Sequence, residues 1–201
     1  VSSRSEQTRN RIYQAALEEF AQYGVSGARV DRIAREAKAN KQAIYLYYDD
    51  KEKLFTLVLG RALEELAEAV PAPAESDDIA TYIDRLFTYH KEHPAILRLL
   101  LWEALEHPGV PVPDEAARTQ HYQHKAHALG KASGIGGSTL PELDPQALLL
   151  VFTALVGWPL AIPQVTRMIM GDGPEAMDRI KAASIAVAQA VTGTAQESDP
   201  A

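Results

Sequence analysis

Cysteine is absent from this 201-residue chain. Disulfides and thiolate metal sites are therefore excluded, and a reducing, cytoplasmic setting is expected. Strand signals are also missing: no run of alternating β-branched residues lies between turn residues. Long apolar runs are scarce. The segment Pro145 to Thr166 is uncharged and contains LLLVFTALVGWPLAIP. Gly157, Pro159, Pro163, Gln146 and Gln164 dilute it, so a buried helix kinked at Pro159 is expected rather than a membrane span. Arg4, Glu6, Arg9 and Arg11 break up the N-terminus, so no signal peptide is expected. No Ser/His/Asp order or paired carboxylate stands out, so no catalytic residue is assigned and no cofactor is implied.

The 46% hydrophobic content is enough to bury a core. The net charge of −7 taken whole argues against a nucleic-acid partner. It is unevenly spread. Residues 1–53 hold 10 Lys+Arg against 8 Asp+Glu, whereas residues 54–201 hold 10 against 19. Phosphate attraction is local, screened beyond about 10 Å at moderate salt, so an acidic body need not cancel a basic head.

Helical periodicity runs throughout, and the fold class expected is all-α. A first helix is expected from Glu6 to Tyr23, with Ile12, Ala16, Phe20 and Tyr23 on one face and Gly24 as its stop. A second spans Val30 to Ala37, a third Lys41 to Leu46 and a fourth Asp50 to Val70. PAPAESD (Pro71 to Asp77) is a breaker. A helix from Ile79 ends at His93-Pro94. AILRLLLWEAL (Ala95 to Leu105) is apolar nearly all round and is expected to be central and buried. A polar helix covers Asp114 to Lys131, and SGIGGSTLPELDP reads as a flexible connection. Two further helices follow, near Pro145 to Met170 and Pro174 to Val191, then a loose tail.

Residues 29–55, RVDRIAREAKANKQAIYLYYDDKEKLF, carry the functional signal. Ala34 and Ala37 allow two short helices to cross closely, and Ile33, Ile44 and Phe20 can anchor them. Asn40, Lys41, Gln42, Tyr45 and Tyr47 crowd the second short helix. Lys can donate to guanine O6/N7, and Asn or Gln can pair with adenine N6/N7. Tyrosine hydroxyls can hold phosphates and fix register. Lys51 opens the next helix, where an ammonium and a helix N-terminus can share a phosphate. Tyr48 is expected in the core, and Arg35 and Lys53 on the solvated surface.

These residues resemble the tetracycline-repressor (TetR) family of bacterial transcription regulators. The resemblance covers residues 8–58: the pattern of Ile12, Ala15, Ala16 and Phe20, then Gly24, then Val30, Ile33, Ala34 and Ala37, then the run from Ile44 to Leu54. It implies an N-terminal helix-turn-helix DNA-binding domain (residues 1–53) and a C-terminal helical ligand-binding and dimerisation domain (54–193), with residues 194–201 as a tail. It also implies repression relieved by a small molecule. Three departures stand out. Lys38 follows Ala37 where the family commonly has Gly, and must take the turn without glycine's freedom at positive φ. Gln42 replaces a second common Gly. Ala28-Arg29 replaces a Ser/Thr pair, which removes the usual N-cap, with Ser26 as a substitute, and gives Arg29 a route to phosphate.

In the C-terminal part, Tyr82, Phe87, Trp102, Phe152, Trp158 and Met168 can line an apolar ligand pocket or form ordinary core. His90, Glu103, His107 and Tyr122 are polar candidates for orienting a ligand. His121, His124 and His127 could offer two imidazoles to a metal from one helix face, but a solvated face is preferred and no metal site is assigned. Leu148, Leu149, Phe152 and Leu155 beside Ile180, Ala183, Ser184, Val187, Ala188 and Val191 are expected to form a dimer interface. A homodimer suits the DNA geometry, since two-fold symmetry sets paired reading helices about 34 Å apart on a palindromic site. The partners expected are thus double-stranded DNA, a small-molecule effector and a second copy, with no membrane. A helical carrier or enzyme that no longer binds DNA, and an architectural DNA-binding protein without an effector, are the competing readings.

Overall fold

The computed structural model describes residues 4–74, 77–132 and 143–192. Among them are ten helices and no strand. The first four are α1 (Arg4–Gly27), α2 (Val30–Glu36), α3 (Lys41–Tyr48) and α4 (Lys51–Ala69). Then come α5 (Ile79–Glu92), α6 (Ala95–Glu106), α7 (Glu115–Ala132), α8 (Pro145–Ala161), α9 (Pro163–Met170) and α10 (Ala176–Thr192). Compactness divides the described residues into one unit within Val1–Leu66 and Pro94–Pro113, and another within Ala67–His93 and Asp114–Ala201.

In the first unit, α1 packs on α2 and α6. Its core joins Ile12, Ala16 and Phe20 of α1 to Ile33, Ile44, Leu54, Phe55, Leu59 and Leu99. Phe20 meets Phe55 edge-on at 5.3 Å, a favoured aromatic geometry. Tyr13 Oη hydrogen-bonds Glu65 Oε2 at 2.8 Å, and Arg61 lies over the Tyr13 ring at 3.9 Å, so polar contacts also tie α1 to α4.

Gly24 breaks α1, at φ 67 and ψ −176. A Cβ there would sit 2.7 Å from Trp102 Cε3 and 2.7 Å from Glu106 Oε1, so glycine is required by both conformation and space. The break frees amides in the last turn, and Glu106 Oε1 accepts from Val25 N at 2.9 Å and Ser26 N at 3.1 Å. The carboxylate of α6 thus caps the turn that follows the break.

Two expectations are corrected. First, α6 is not buried all round. Ile96, Leu97, Leu99 and Glu103 are buried, while Leu101 and Leu105 are 39% and 70% exposed. An apolar helix that packs along one face leaves its other leucines outside. Second, the single helix expected from Pro145 to Met170 is two: Pro159 sits inside α8, and the break comes at Ile162-Pro163, where α8 and α9 meet at 86°. A proline removes its own N–H and pushes the residue before it toward extended backbone, which ends a helix there. Thr166 Oγ1 donates to the Pro159 carbonyl at 2.8 Å, satisfying an oxygen near the end of α8. No single helix among the described residues is long and apolar enough to cross a membrane.

In the second unit, α5 packs on α8 and α10, and α8 also packs on α7, α9 and α10. Asp78 and Asp144 cap α5 and α8 through their carboxylates. Lys181 and Lys91 pair with Asp84 and Asp178 at 2.8 and 3.6 Å across α5 and α10. The expected connection over Ser133 to Pro145 falls mostly outside the described residues, as does the tail from residue 193 onward.

Candidate nucleic-acid interface

The bend between α2 and α3 is tight. Lys38 takes φ 49, the left-handed conformation that glycine adopts without cost. Its amide donates to the Arg35 carbonyl at 3.1 Å, and the Ala39 amide donates to that of Ala34 at 2.9 Å. These bonds cap the end of α2. Asn40 then starts α3, its Oδ1 accepting from Gln42 N at 2.9 Å.

On α3, Ile44 points inward at 2% exposure and Tyr48 is half-buried against the same core. Lys41, Gln42, Tyr45 and Leu46 are exposed and share the opposite face at helical spacing. Tyr47 lies at its edge, with the Arg9 guanidinium 5.0 Å from its ring centre. Leu46 is 83% exposed. Sequence reasoning assigned it no role, although a large apolar residue between polar ones on a reading face suits a thymine methyl.

Three contacts preorganise this face. Arg32 reaches back to Glu19 of α1 at 2.6 Å, and the Arg29 amide donates to the same carboxylate at 2.7 Å. That hydrogen bond and charge hold the Arg32 guanidinium above its ordinary pKa. Lys41 Nζ pairs with Asp31 of α2 at 2.8 Å, which likewise raises its pKa. Lys51 Nζ lies 3.4 Å from the Ala28 carbonyl, beside exposed Arg29. Arg29 occupies the N-cap position of α2 without a side-chain cap. The Ser26 amide is bonded instead to Glu106. Arg29 and Asn40 at the N-caps of α2 and α3, Lys41, Gln42, Tyr45 and Tyr47 on α3, and Lys51 at the start of α4 all lie in one compact unit.

Residues 12–58 match the family model for bacterial regulatory proteins of the tetR family, and residues 78–191 match the tetracyclin repressor-like C-terminal domain. A curated relative, the HTH-type transcriptional repressor SCO4008 of Streptomyces coelicolor, is 43% identical over 178 residues, covering 88% of this chain and 90% of its own. The chain belongs to the TetR family. It is a DNA-binding transcriptional regulator with the helix-turn-helix and C-terminal helical domains of that family. The Streptomyces coelicolor protein SCO4942, described as a transcriptional regulator, superposes with a TM-score of 0.72 at 27% identity over 90% of this chain and 96% of its own. AibR, solved with isovaleryl coenzyme A and operator DNA, shares the fold at a TM-score of 0.63 and 15% identity, over 90% and 97% of the two chains.

The effector candidates of this TetR-family chain fall in both units. Trp102 belongs to α6, where its Nε1 donates to the Ala21 carbonyl at 3.3 Å. Glu103 is buried and His107 exposed on the same helix. Tyr82, Phe87, His90 and Phe152 are buried in the second unit, and Trp158 is 59% exposed. Burial pushes the Tyr82 hydroxyl up to about 12. A groove of about 420 Å³ runs along α7 and α8, lined by Thr119, Tyr122, Gln123, Ala126, Leu149 and Leu150. Met168 is exposed on α9, and His121, His124 and His127 are exposed on α7.

Among the dimer candidates, Leu148, Phe152 and Ser184 lie inside the protomer's own core. Ile180 and Val191 are half-buried, and Val187 is 45% exposed. The apolar side chains that α8 leaves outside are Leu150, Val151 and Trp158.

Proposed function

We propose that this regulator represses transcription as a homodimer on a palindromic operator and is released by a small molecule bound among its C-terminal helices. The observation that carries the proposal is the outer face of α3, where Lys41, Gln42, Tyr45 and Leu46 stand exposed on a helix anchored from behind by Ile44. Gln42 and Lys41 would read base edges, with Leu46 against a thymine methyl. Tyr45, Tyr47, Lys51 and Arg29 would hold phosphates and set the register, with Asn40 at the helix start. Residues 1–53 serve DNA contact in this reading, and residues 54–193 serve the effector and the second copy.

The apolar faces of α8 and α10 that remain outside, Leu150, Val151, Trp158 and Val187, support pairing of two copies. The effector acts by favouring the state that cannot engage both half-sites, and α4, which continues past Leu66, is the lever. No turnover is part of this account, and the setting is cytoplasmic. The experiment is selection of bound duplexes from random DNA with the full chain. Enrichment of a two-fold symmetric site, bound by a dimer, supports the proposal. Enrichment of nothing, at low ionic strength, overturns it.

A further inference from the structure

The arginines of the first unit differ in what holds them. Arg11, Arg32, Arg35, Arg61 and Arg98 each donate to an oxygen of the protein. Arg9 is exposed on α1, and no hydrogen bond or ion pair among the described residues engages it. Its guanidinium carbon lies over the Tyr47 ring instead, 5.0 Å from the centre. Tyr47 meets Tyr48 edge-on at 6.2 Å, and Tyr48 packs against the core. The core thus backs Tyr48, Tyr48 backs Tyr47, and Tyr47 carries a cation of α1 at the rim of α3. The neighbours of Arg9 serve the fold: Thr8 accepts from Arg11, and Asn10 accepts from Arg61.

The attraction of a cation to a ring face is electrostatic and takes up none of the five N–H donors of a guanidinium. An exposed pair of this kind adds little to stability. Its effect is to hold a long side chain in place, with its donors open, before a ligand arrives. The planar fork of a guanidinium matches two oxygens of a phosphate. We propose that Arg9 holds a phosphate of the duplex backbone, with the Tyr47 ring as its platform, so that α1 as well as α3 contacts DNA. This inference rests on α3 being the helix that meets DNA. Arg9 precedes residues 12–58, which match the family model, so that match assigns it no role.

Position favours a phosphate over a base edge. Lys41, Gln42, Tyr45 and Leu46 share the outward face of α3, and Tyr47 lies at its edge. A side chain that reaches Tyr47 from another helix flanks the groove that α3 enters, where the sugar-phosphate strand runs. Arg11 is committed to the Ala37 carbonyl and fixes the bend. The basic start of α1 therefore divides into a structural arginine and one that faces the duplex.

The test is fluorescence anisotropy of the full chain with a duplex that it enriches from random DNA, over a series of salt concentrations. Arg9→Gln should weaken binding about tenfold and reduce the salt slope by about one for each bound copy, whatever the base sequence. Arg9→Lys keeps the charge but not the fork, so it should restore the slope and only part of the affinity. Tyr47→Leu removes the platform, and in that background Arg9→Gln should cost only about threefold. Without DNA, Arg9→Gln should leave the Tm within about 3 °C of the unaltered chain, as befits an exposed residue. The proposal is overturned if Arg9→Gln leaves the salt slope unchanged, since Arg9 would then only prop Tyr47. It is equally overturned by a loss as large without the ring as with it, by a loss confined to one base pair, or by a larger fall in Tm. Lys51→Ala, measured alongside, separates the two readings. A slope lowered by Lys51→Ala but not by Arg9→Gln would sink this inference alone, whereas a chain that enriches no duplex would sink both.

Discussion

Arg11 Nε donates to the main-chain oxygen of Ala37 at 3.0 Å, tying the end of α2 to α1 one residue before the chain turns left-handed. The anchor helps hold Lys38 at φ 49, where a side chain costs about 1–2 kcal/mol relative to the right-handed conformation. Lys38→Gly removes that strain and adds some freedom to the unfolded chain. The expected net gain is about 0.5–1 kcal/mol, read as a rise in denaturation midpoint. A drop in stability would show that the Lys38 side chain makes a contact worth more than the strain.

If Lys41 contacts DNA as proposed, Asp31 competes with the duplex for it. The pair is exposed on both sides, so it adds little to stability. Asp31→Asn frees the ammonium and removes a negative charge from the reading face. Operator affinity should rise about two- to tenfold at moderate salt, with a steeper salt dependence. Unchanged affinity at every salt concentration would place Lys41 away from the duplex.

His90 makes stability depend on pH. Its folded pKa of about 4 lies below the ordinary 6.5, so between those values the unfolded chain takes up a proton that the folded chain refuses. The penalty is absent above pH 6.5 and grows as pH falls, reaching roughly 3 kcal/mol at pH 4. Lys125 and His93 act on this imidazole, and Asp84, Lys91, Asp178 and Lys181 pair with one another across α5 and α10. His90→Gln should flatten the decline between pH 6.5 and 4 in urea denaturation. Parallel curves for the two proteins would contradict the burial of this group.

The reading head was legible because its signals are local. Gly24 announces the break in α1, and the spacing of Ile33, Ala34, Ala37 and Ile44 defines the buried side of two short helices. Lys38 could be read as a strained turn because an ordinary residue stands where the bend needs positive φ. The C-terminal helices were found but not their faces. Periodicity marked Leu148 and Phe152 as one stripe, yet α8 packs against α5, α7, α9 and α10, and that stripe serves the protomer's own core. A helix with several neighbours is apolar on several sides, so its pattern does not say which side a partner takes. The break at Ile162 was misplaced because two prolines four residues apart each offered one, and Pro159 is accommodated within α8. Lys125 gave no signal at all, since a lysine in a polar helix reads as solvated until its burial is seen.

The central claim is that α3 reads bases while Lys51 holds a phosphate. The most direct measurement is affinity for an operator and for single-base variants of it, across a range of salt concentrations, for Gln42→Ala and Lys51→Ala. Lys51→Ala should weaken every duplex alike and reduce the salt slope by about one. Gln42→Ala should leave the slope alone and lose about 1–3 kcal/mol of discrimination at one base pair of each half-site. Binding that neither substitution alters, in strength, salt dependence or base preference, would contradict the account.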